Sequence, residues 1–236
     1  MNTQTLSLTH LIREPKTRSA NPPLLLLLHG VGSNERDLFE LAPHLDERFF
    51  VVSARAPITL SAGSYAWFHV EFTPDNRIII NPDDAEASRE LLLKFIDELV
   101  AAYSLSAKQV YLMGFSQGAI ISQSIALTRP DKIAGVVAMS GRVLPEVLPQ
   151  QAQSEAFGRL PVMVVHGLND QVLNISYGRN ARDVWSKLPI ALTYREYAMG
   201  HEVTQESLRD IAAWLKERLD SNPNSQNAKS KIQSRE

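Results

Sequence analysis

The chain has 236 residues, 44% of them hydrophobic and 21% charged, with a net charge of −2 and no cysteine. That length suits one α/β domain with a well-buried core, and the charge balance carries no basic excess that would favour nucleic acid or an anionic membrane. The lack of cysteine excludes disulfides, thiolate metal sites and a cysteine nucleophile in one step.

The N-terminus has no basic segment followed by an apolar stretch, so no signal peptide is expected. The longest unbroken apolar run, Leu24–Leu28, is far too short to span a bilayer. The expected setting is the cytoplasm, without stable membrane insertion.

Leu6, Leu8 and Leu11 alternate with polar neighbours, as in a half-buried edge strand. A proline-bounded polar loop over 15–23 leads into Leu24–Leu28. Five consecutive leucines ended by His29-Gly30 read as a strand covered on both faces, the pattern of a parallel sheet between helices. His29-Gly30-Val31-Gly32-Ser33 then lets the backbone double back with its amides exposed. Asn34 and Asp37 precede Leu38, Leu41 and Leu45, which predicts a helix start. Phe50–Ala54 is a second buried strand.

Residues 58–83 have no helical period and read as a long loop, of the kind that usually carries function. The loop holds Tyr65, Trp67, Phe68, His69 and Phe72, and Ile78–Ile80 is a short strand candidate within it. Residues 84–103 form an amphipathic helix with Leu92, Phe95, Ile96 and Leu99 on one face.

A β-prone run from Val110 ends at Gly114, and a helix-prone run over 119–127 follows. Between them stands Gly114-Phe115-Ser116-Gln117-Gly118. Gly-x-Ser-x-Gly in a strand–turn–helix setting is the nucleophile elbow, which lifts a serine hydroxyl above the sheet edge in a strained backbone. The glycines leave room for strand and helix to pass closely.

Further strands are expected at 133–139, ended by Ser140-Gly141, at 161–165, ended by His166-Gly167, and at 190–197. Residues 143–159 look irregular and are expected to lean over the site. Helices are expected at 177–187 and 205–219, and a polar, disordered tail over 221–236. Strands alternating with helices imply a mostly parallel sheet with helices on both faces, whose site lies beyond the carboxyl ends of the strands. The turns at Gly30, Gly114, Gly141 and Gly167 all fall at those ends.

A serine hydroxyl needs a base within hydrogen-bond reach, and the base needs an orienting carboxylate. The elbow uses the chain order Ser, then Asp or Glu, then His. Of six histidines only His166 and His201 follow Ser116, and no later carboxylate keeps that order with His166. His201 lies between the last strand and the last helix. Asp170, in the turn after His166-Gly167, is the candidate acid; its other reading is a turn aspartate capping the next helix. Asp183 lies within a predicted helix and is a poorer choice. The oxyanion donors are expected at the amides of Gln117 and, in the turn after the leucine strand, Val31. His29 reads as structural.

The chain resembles the phospholipase/carboxylesterase family of α/β-hydrolases. The resemblance runs from about Leu24 to Leu219, on Leu-His-Gly-Val-Gly-Ser at 28–33, Tyr-Ala-Trp-Phe at 65–68, Gly-Phe-Ser-Gln-Gly at 114–118, Met-Ser-Gly at 139–141, His-Gly-Leu-Asn-Asp at 166–170 and Gly-His-Glu-Val at 200–203. It implies an α/β-hydrolase fold with the family's triad on Ser116, Asp170 and His201 and its oxyanion donors on Val31 and Gln117. Departures from the family pattern stand at Ala119, Ser33 and Gln171, none of them in the triad.

The expected activity is cofactor-free and metal-free hydrolysis of a small-molecule carboxylic ester through an acyl-enzyme. Thioester or lysophospholipid cleavage by the same residues is the alternative, and a hydrolase-fold binding protein with little turnover is the reading from another class. Trp67, Phe68, Phe72, Leu144, Val172 and Met199 are candidates to line the acyl pocket. Both monomer and homodimer are compatible with the sequence.

Overall fold

A computed structural model describes residues 6–72 and 78–221, without the side chains of Phe72 and Ile78. The expected polar tail falls outside the described residues beyond 221. The first strand, β1 (His10–Arg13), is followed by β2 (Leu24–Leu28), a short 3₁₀ segment over Leu38–His44, and β3 (Phe50–Ala54). Two short antiparallel strand pairs come next, β4 (Ile58–Ser61) with β5 (Ser64–Ala66) and β6 (Val70–Phe72) with β7 (Ile78–Ile80). Then follow α1 (Pro82–Ala102), β8 (Val110–Phe115), α2 (Gln117–Thr128), β9 (Gly135–Met139), β10 (Pro161–Gly167), α3 (Ile175–Trp185), β11 (Ala191–Tyr197) and α4 (Gln205–Asp220).

Seven of these strands form one sheet in the order β1-β3-β2-β8-β9-β10-β11. All its neighbours are parallel except β1, which runs antiparallel along β3 with His10 opposite Ala54. The chain leaves β2 for β3 on one side and later returns to lay β8 on the other, so the strand order reverses between β2 and β8. In open α/β sheets a ligand crevice opens at that reversal, beyond the carboxyl ends of the strands.

The leucine run shows why the sheet is covered twice. Leu24, Leu26 and Leu28 point into a core built with α1, α2 and α3, whereas Leu25 and Leu27 point into a second core with the 3₁₀ segment and α4. All five are fully buried. Alternation along a strand therefore fills two layers, and an unbroken apolar run is the consequence.

Local sequence sets the element ends. Asn81 caps α1 by accepting from the Asp83 and Asp84 amides, with Pro82 as the first helical residue. Thr204 and Ser207 form a reciprocal capping box on α4. Helix α2 is buried over nearly its whole length, its polar side chains included, as expected of a helix enclosed by sheet and neighbours.

The structure corrects four expectations. The edge strand exists but is His10–Arg13, so Leu6 and Leu8 precede it, with Leu8 in the core. The segment after Asp37 is a seven-residue 3₁₀ turn rather than an α-helix; Pro43 lies inside it and cannot donate a helical hydrogen bond. Asp37 makes no side-chain cap, and Asn34 Oδ1 instead accepts from the Arg36 amide. Within 58–83 the described residues form two antiparallel strand pairs rather than an open loop, with Ile78–Ile80 the strand expected there, and His166 and Gly167 belong to β10 rather than following it.

Candidate active site

Ser116 sits between β8 and α2 with φ 53° and ψ −116°, a left-handed backbone that a side-chain-bearing residue rarely adopts. The contacts around it leave no alternative path. A Cβ on Gly114 would collide with the Gly118 carbonyl, and one on Gly118 would collide with the Leu28 oxygen. The two glycines therefore let β8, α2 and β2 touch backbone to backbone. The Ser116 amide donates to the Met139 carbonyl at the end of β9 (2.9 Å), which fixes the elbow to the next strand.

The Ser116 hydroxyl lies 3.0 Å from His201 Nε2, and His201 Nδ1 lies 2.7 Å from Asp170 Oδ2. A carboxylate can only accept, so Nδ1 carries the proton and Nε2 is left to accept from the serine. Asp170 has a fully buried side chain. Its other oxygen, Oδ1, accepts from the amides of Val172 (2.9 Å) and Leu173 (2.8 Å). Asp170 thus meets His201 and also closes its own turn, whereas Asn174 caps α3 through the Ser176 amide. Phe115 packs against His201 with ring centroids 4.9 Å apart and ring planes tilted by 45°. Asp183 takes no part in this arrangement and pairs with Arg182 on the surface.

The two loops that carry Asp170 and His201 are stitched together. The Leu168 amide donates to Tyr197 and the Asn169 amide to Met199. A Cβ on Gly167 would collide with the Gly200 oxygen. His166 lies beneath, donating from Nε2 to the Leu173 carbonyl (2.7 Å), and burial lowers its pKa.

The turn after β2 faces the serine, with Gly30 packed on Ser116 and Phe115. Gly32 has φ 82° and its amide donates to Tyr65, while the Tyr65 amide donates back to Ser33. The Gln117 amide opens α2, where helical amides have no acceptor within the helix. Among the described residues, no hydrogen-bond acceptor meets the Val31 or Gln117 amide. His29 accepts from the Ala56 amide at Nε2 and donates to the Gly30 carbonyl from Nδ1. It is fully buried, and burial lowers its pKa, so it is a neutral brace of this turn.

A narrow apolar cleft opens beside Ser116. Phe68 and Val172, both expected there, line it, together with Val31, and Val172 is half exposed at its mouth. Trp67, Leu144 and Met199 lie elsewhere. Trp67 is fully buried behind the turn, its indole donating to the His29 carbonyl. Leu144 packs in the core of the α1–α2 face and Met199 in the core of the α4 face. The Phe72 side chain is outside the described residues.

Val70, Ile80, Ile120, Leu173 and Arg142 complete the cleft and were not anticipated. Ile120 had a signal, since it stands one helical turn past Ser116. Val70 and Ile80 had none, because they reach the cleft only through the pairing of β6 with β7. The Gln117 side chain was also missed: its Oε1 accepts from the Trp67 amide (2.9 Å) and its Nε2 donates to the Phe68 carbonyl (2.7 Å), holding the hairpin region to the elbow.

A mostly parallel sheet with a serine elbow at the reversal of strand order defines an α/β-hydrolase. Comparison with known proteins narrows the class. Residues 10–219 match the phospholipase/carboxylesterase family, and the chain belongs to that family of serine ester hydrolases. It is similar to acyl-protein thioesterase 1 of Cryptococcus neoformans, with 28% identity over 238 residues covering 90% of this chain and 98% of the relative. It is also similar to a probable SOBER1-like carboxylesterase of Arabidopsis thaliana, at 24% identity covering 85% and 80% of the two chains. Among solved structures, esterase PE8 superposes with a TM-score of 0.78 at 28% identity, covering 91% of this chain and 99% of that one. The Bacillus cereus carboxylesterase shares the fold with a TM-score of 0.76 at 23% identity, covering 89% and 94%. Among the described residues no helix is long and apolar enough to cross a membrane.

Proposed function

We propose that this chain hydrolyses small carboxylic esters through an acyl-enzyme formed on Ser116. His201 Nε2 takes the hydroxyl proton as Oγ attacks the ester carbonyl. The Asp170 carboxylate holds the proton on Nδ1 and stabilises the imidazolium that forms. The amides of Val31 and Gln117 receive the oxyanion, each worth about 10²–10³ in turnover. Collapse of the tetrahedral intermediate expels the alcohol, which takes the proton from His201. Water then repeats the sequence on the acyl-enzyme and releases the acid.

The observation that carries this reading is the relay from Ser116 Oγ to His201 Nε2 at 3.0 Å and from His201 Nδ1 to Asp170 at 2.7 Å. The apolar cleft beside the serine suits an acyl chain. A second reading, thioester hydrolysis, is supported by the name of the fungal relative, acyl-protein thioesterase 1. The chemistry is the same, with a thiol in place of the alcohol. We take the cytoplasm as the setting, as composition suggested.

The test is kcat/KM on nitrophenyl esters and acyl thioesters of graded acyl length, for wild type and Ser116→Ala. The expected result is turnover by the wild type and a loss of several powers of ten in the variant. The better leaving-group series decides between ester and thioester. Equal, feeble rates for both proteins on every substrate would overturn the acyl-enzyme reading.

A further inference from the structure

We propose that Arg142 binds an anionic group of the substrate, so that the preferred esters carry a carboxylate or phosphate near the scissile bond. The proposal rests on the esterase reading and adds to it the charge of the substrate.

Arg142 follows Ser140-Gly141 at the end of β9 and lines the same cleft as Ser116. Its backbone is pinned. A Cβ on Gly141 would lie 2.7 Å from the Ala119 Cβ, so the chain is pressed against α2. The Arg142 carbonyl accepts from Gln123 Nε2 (3.3 Å), and Gln123 Oε1 in turn accepts from the Trp185 indole (3.0 Å). The guanidinium carbon stands 5.5 Å from the centroid of the Tyr177 ring, a cation–π placement that orients the head group without satisfying its N–H donors.

What the guanidinium lacks is an anion. Other partly buried arginines have partners for their head groups. Arg48 meets Asp46, Arg55 meets Glu35, Arg89 meets Glu86, and Arg13 donates to the carbonyls of Leu45, Asp46 and Phe49. Among the described residues no carboxylate pairs with Arg142 and none of its guanidinium nitrogens has an acceptor; its buried Nε is unmet like those of Arg13 and Arg218, but their terminal nitrogens are partnered and those of Arg142 are not. The rest of the cleft lining is neutral. A half-buried cation against an apolar wall, with a buried donor unmet, is unfavourable for folding alone. Its planar fork matches a carboxylate or phosphate. A substrate anion is the partner that such a placement fits, and the neighbouring apolar side chains would strengthen the attraction by excluding water.

The anion has two candidate sources, the acyl part or the leaving group, and matched substrates separate them. One pair is the nitrophenyl pentanoate and the nitrophenyl hemiester of glutaric acid, equal in acyl length but differing in a terminal carboxylate. The other is the butyrate of glycerol and the butyrate of phosphoglycerol. Wild type, Arg142→Gln and Arg142→Lys are compared on all four, and glutarate binding to each protein is measured by calorimetry.

Arg142→Gln is expected to lower kcat/KM about 10- to 100-fold on the charged member of one pair, the scale of a lost charged hydrogen bond. The charged-to-neutral ratio within that pair should fall by the same factor, and Arg142→Lys should recover part of the loss. The pair that responds identifies where the anion sits. An unchanged charged-to-neutral ratio in both pairs, with neutral esters still cleaved, would overturn the proposal. If no ester is cleaved at all, the esterase reading fails. Glutarate affinity then decides the role of Arg142 by itself, a loss in Arg142→Gln supporting it and no difference refuting it.

Discussion

Replacing Asp170 by Asn separates its two roles. In the wild type Oδ1 accepts from the Val172 and Leu173 amides and Oδ2 accepts from His201. An Asn side chain has one acceptor and one donor end. The two amides demand the acceptor, so the carboxamide nitrogen is turned toward His201. There it donates to Nδ1, which forces the imidazole proton onto Nε2. The base can then no longer accept from Ser116. The turn survives and the relay is inverted, so kcat should fall about 10⁴-fold with little change in melting temperature.

Asp170→Ala should lose activity as well but also lose the turn. Leu173 is buried, and its amide would be left without an acceptor, at a cost of about 1–3 kcal/mol. For a domain of this size that lowers Tm by about 2–12 °C. The assay is kcat on a nitrophenyl ester together with a calorimetric scan of wild type and both variants. Two results would show the assignment of one oxygen to the turn and one to the base to be wrong. One is activity within tenfold of wild type in Asp170→Asn. The other is a loss of stability in Asp170→Asn as large as that in Asp170→Ala.

Ser116→Gly should abolish turnover yet raise stability by about 1 kcal/mol in denaturant unfolding, because glycine takes φ 53° without the strain borne by serine. Gly118→Ala should cost about 3 kcal/mol or prevent soluble expression, since its Cβ would overlap the Leu28 carbonyl and backbone cannot yield as a side chain can. His29 and His166 both have pKa values lowered by burial. The unfolded chain therefore binds more protons than the folded one just below the unfolded imidazole value of about 6.5. Stability should rise with pH through that window and fall on acidification, measured as urea midpoints between about pH 5 and 8. His166→Gln, which preserves a donor toward the Leu173 carbonyl, should flatten the slope.

The parts of the fold that were legible in the sequence are those where a single physical rule dominates. Leu24–Leu28 could be buried only on two faces, and the period of Leu92, Phe95, Ile96 and Leu99 placed α1. The elbow was legible because strand, glycine and helix signals coincide within a few residues. His201 and Asp170 were expected from chain order together with their places in turns at the carboxyl edge of the sheet, constraints of topology that need no distances. Pairings between distant segments were not legible. Nothing in 58–83 says that β6 folds onto β7 and carries Val70 and Ile80 to the cleft. Trp67 misled for a related reason. An aromatic in a long loop suggests a pocket wall, but this indole is inserted behind the turn and donates to the His29 carbonyl. Burial on the far side of a site leaves no mark in local sequence.

The strain at Ser116 explains why so much of the molecule converges on it. A backbone in that region costs on the order of 1–3 kcal/mol and persists only where its surroundings over-determine it. Here each neighbour contributes a separate lock. Strand β9 holds the Ser116 amide, β2 presses on Gly118, and Gly30 packs on the serine itself. Gln117 supplies a further lock through two buried hydrogen bonds to Trp67 and Phe68. The same residue offers its backbone amide beside the serine, so the segment at Trp67 and Phe68 cannot move independently of the elbow. Tyr65 bonds to Gly32 and Ser33 and completes the ring of restraints. Groups held in this way need little reorganisation when charge develops on a substrate oxygen, which is the condition under which fixed dipoles are most effective. The glycines that permit the close approach are therefore as much a part of the chemistry as the polar side chains, because they set the distances at which the polar groups act.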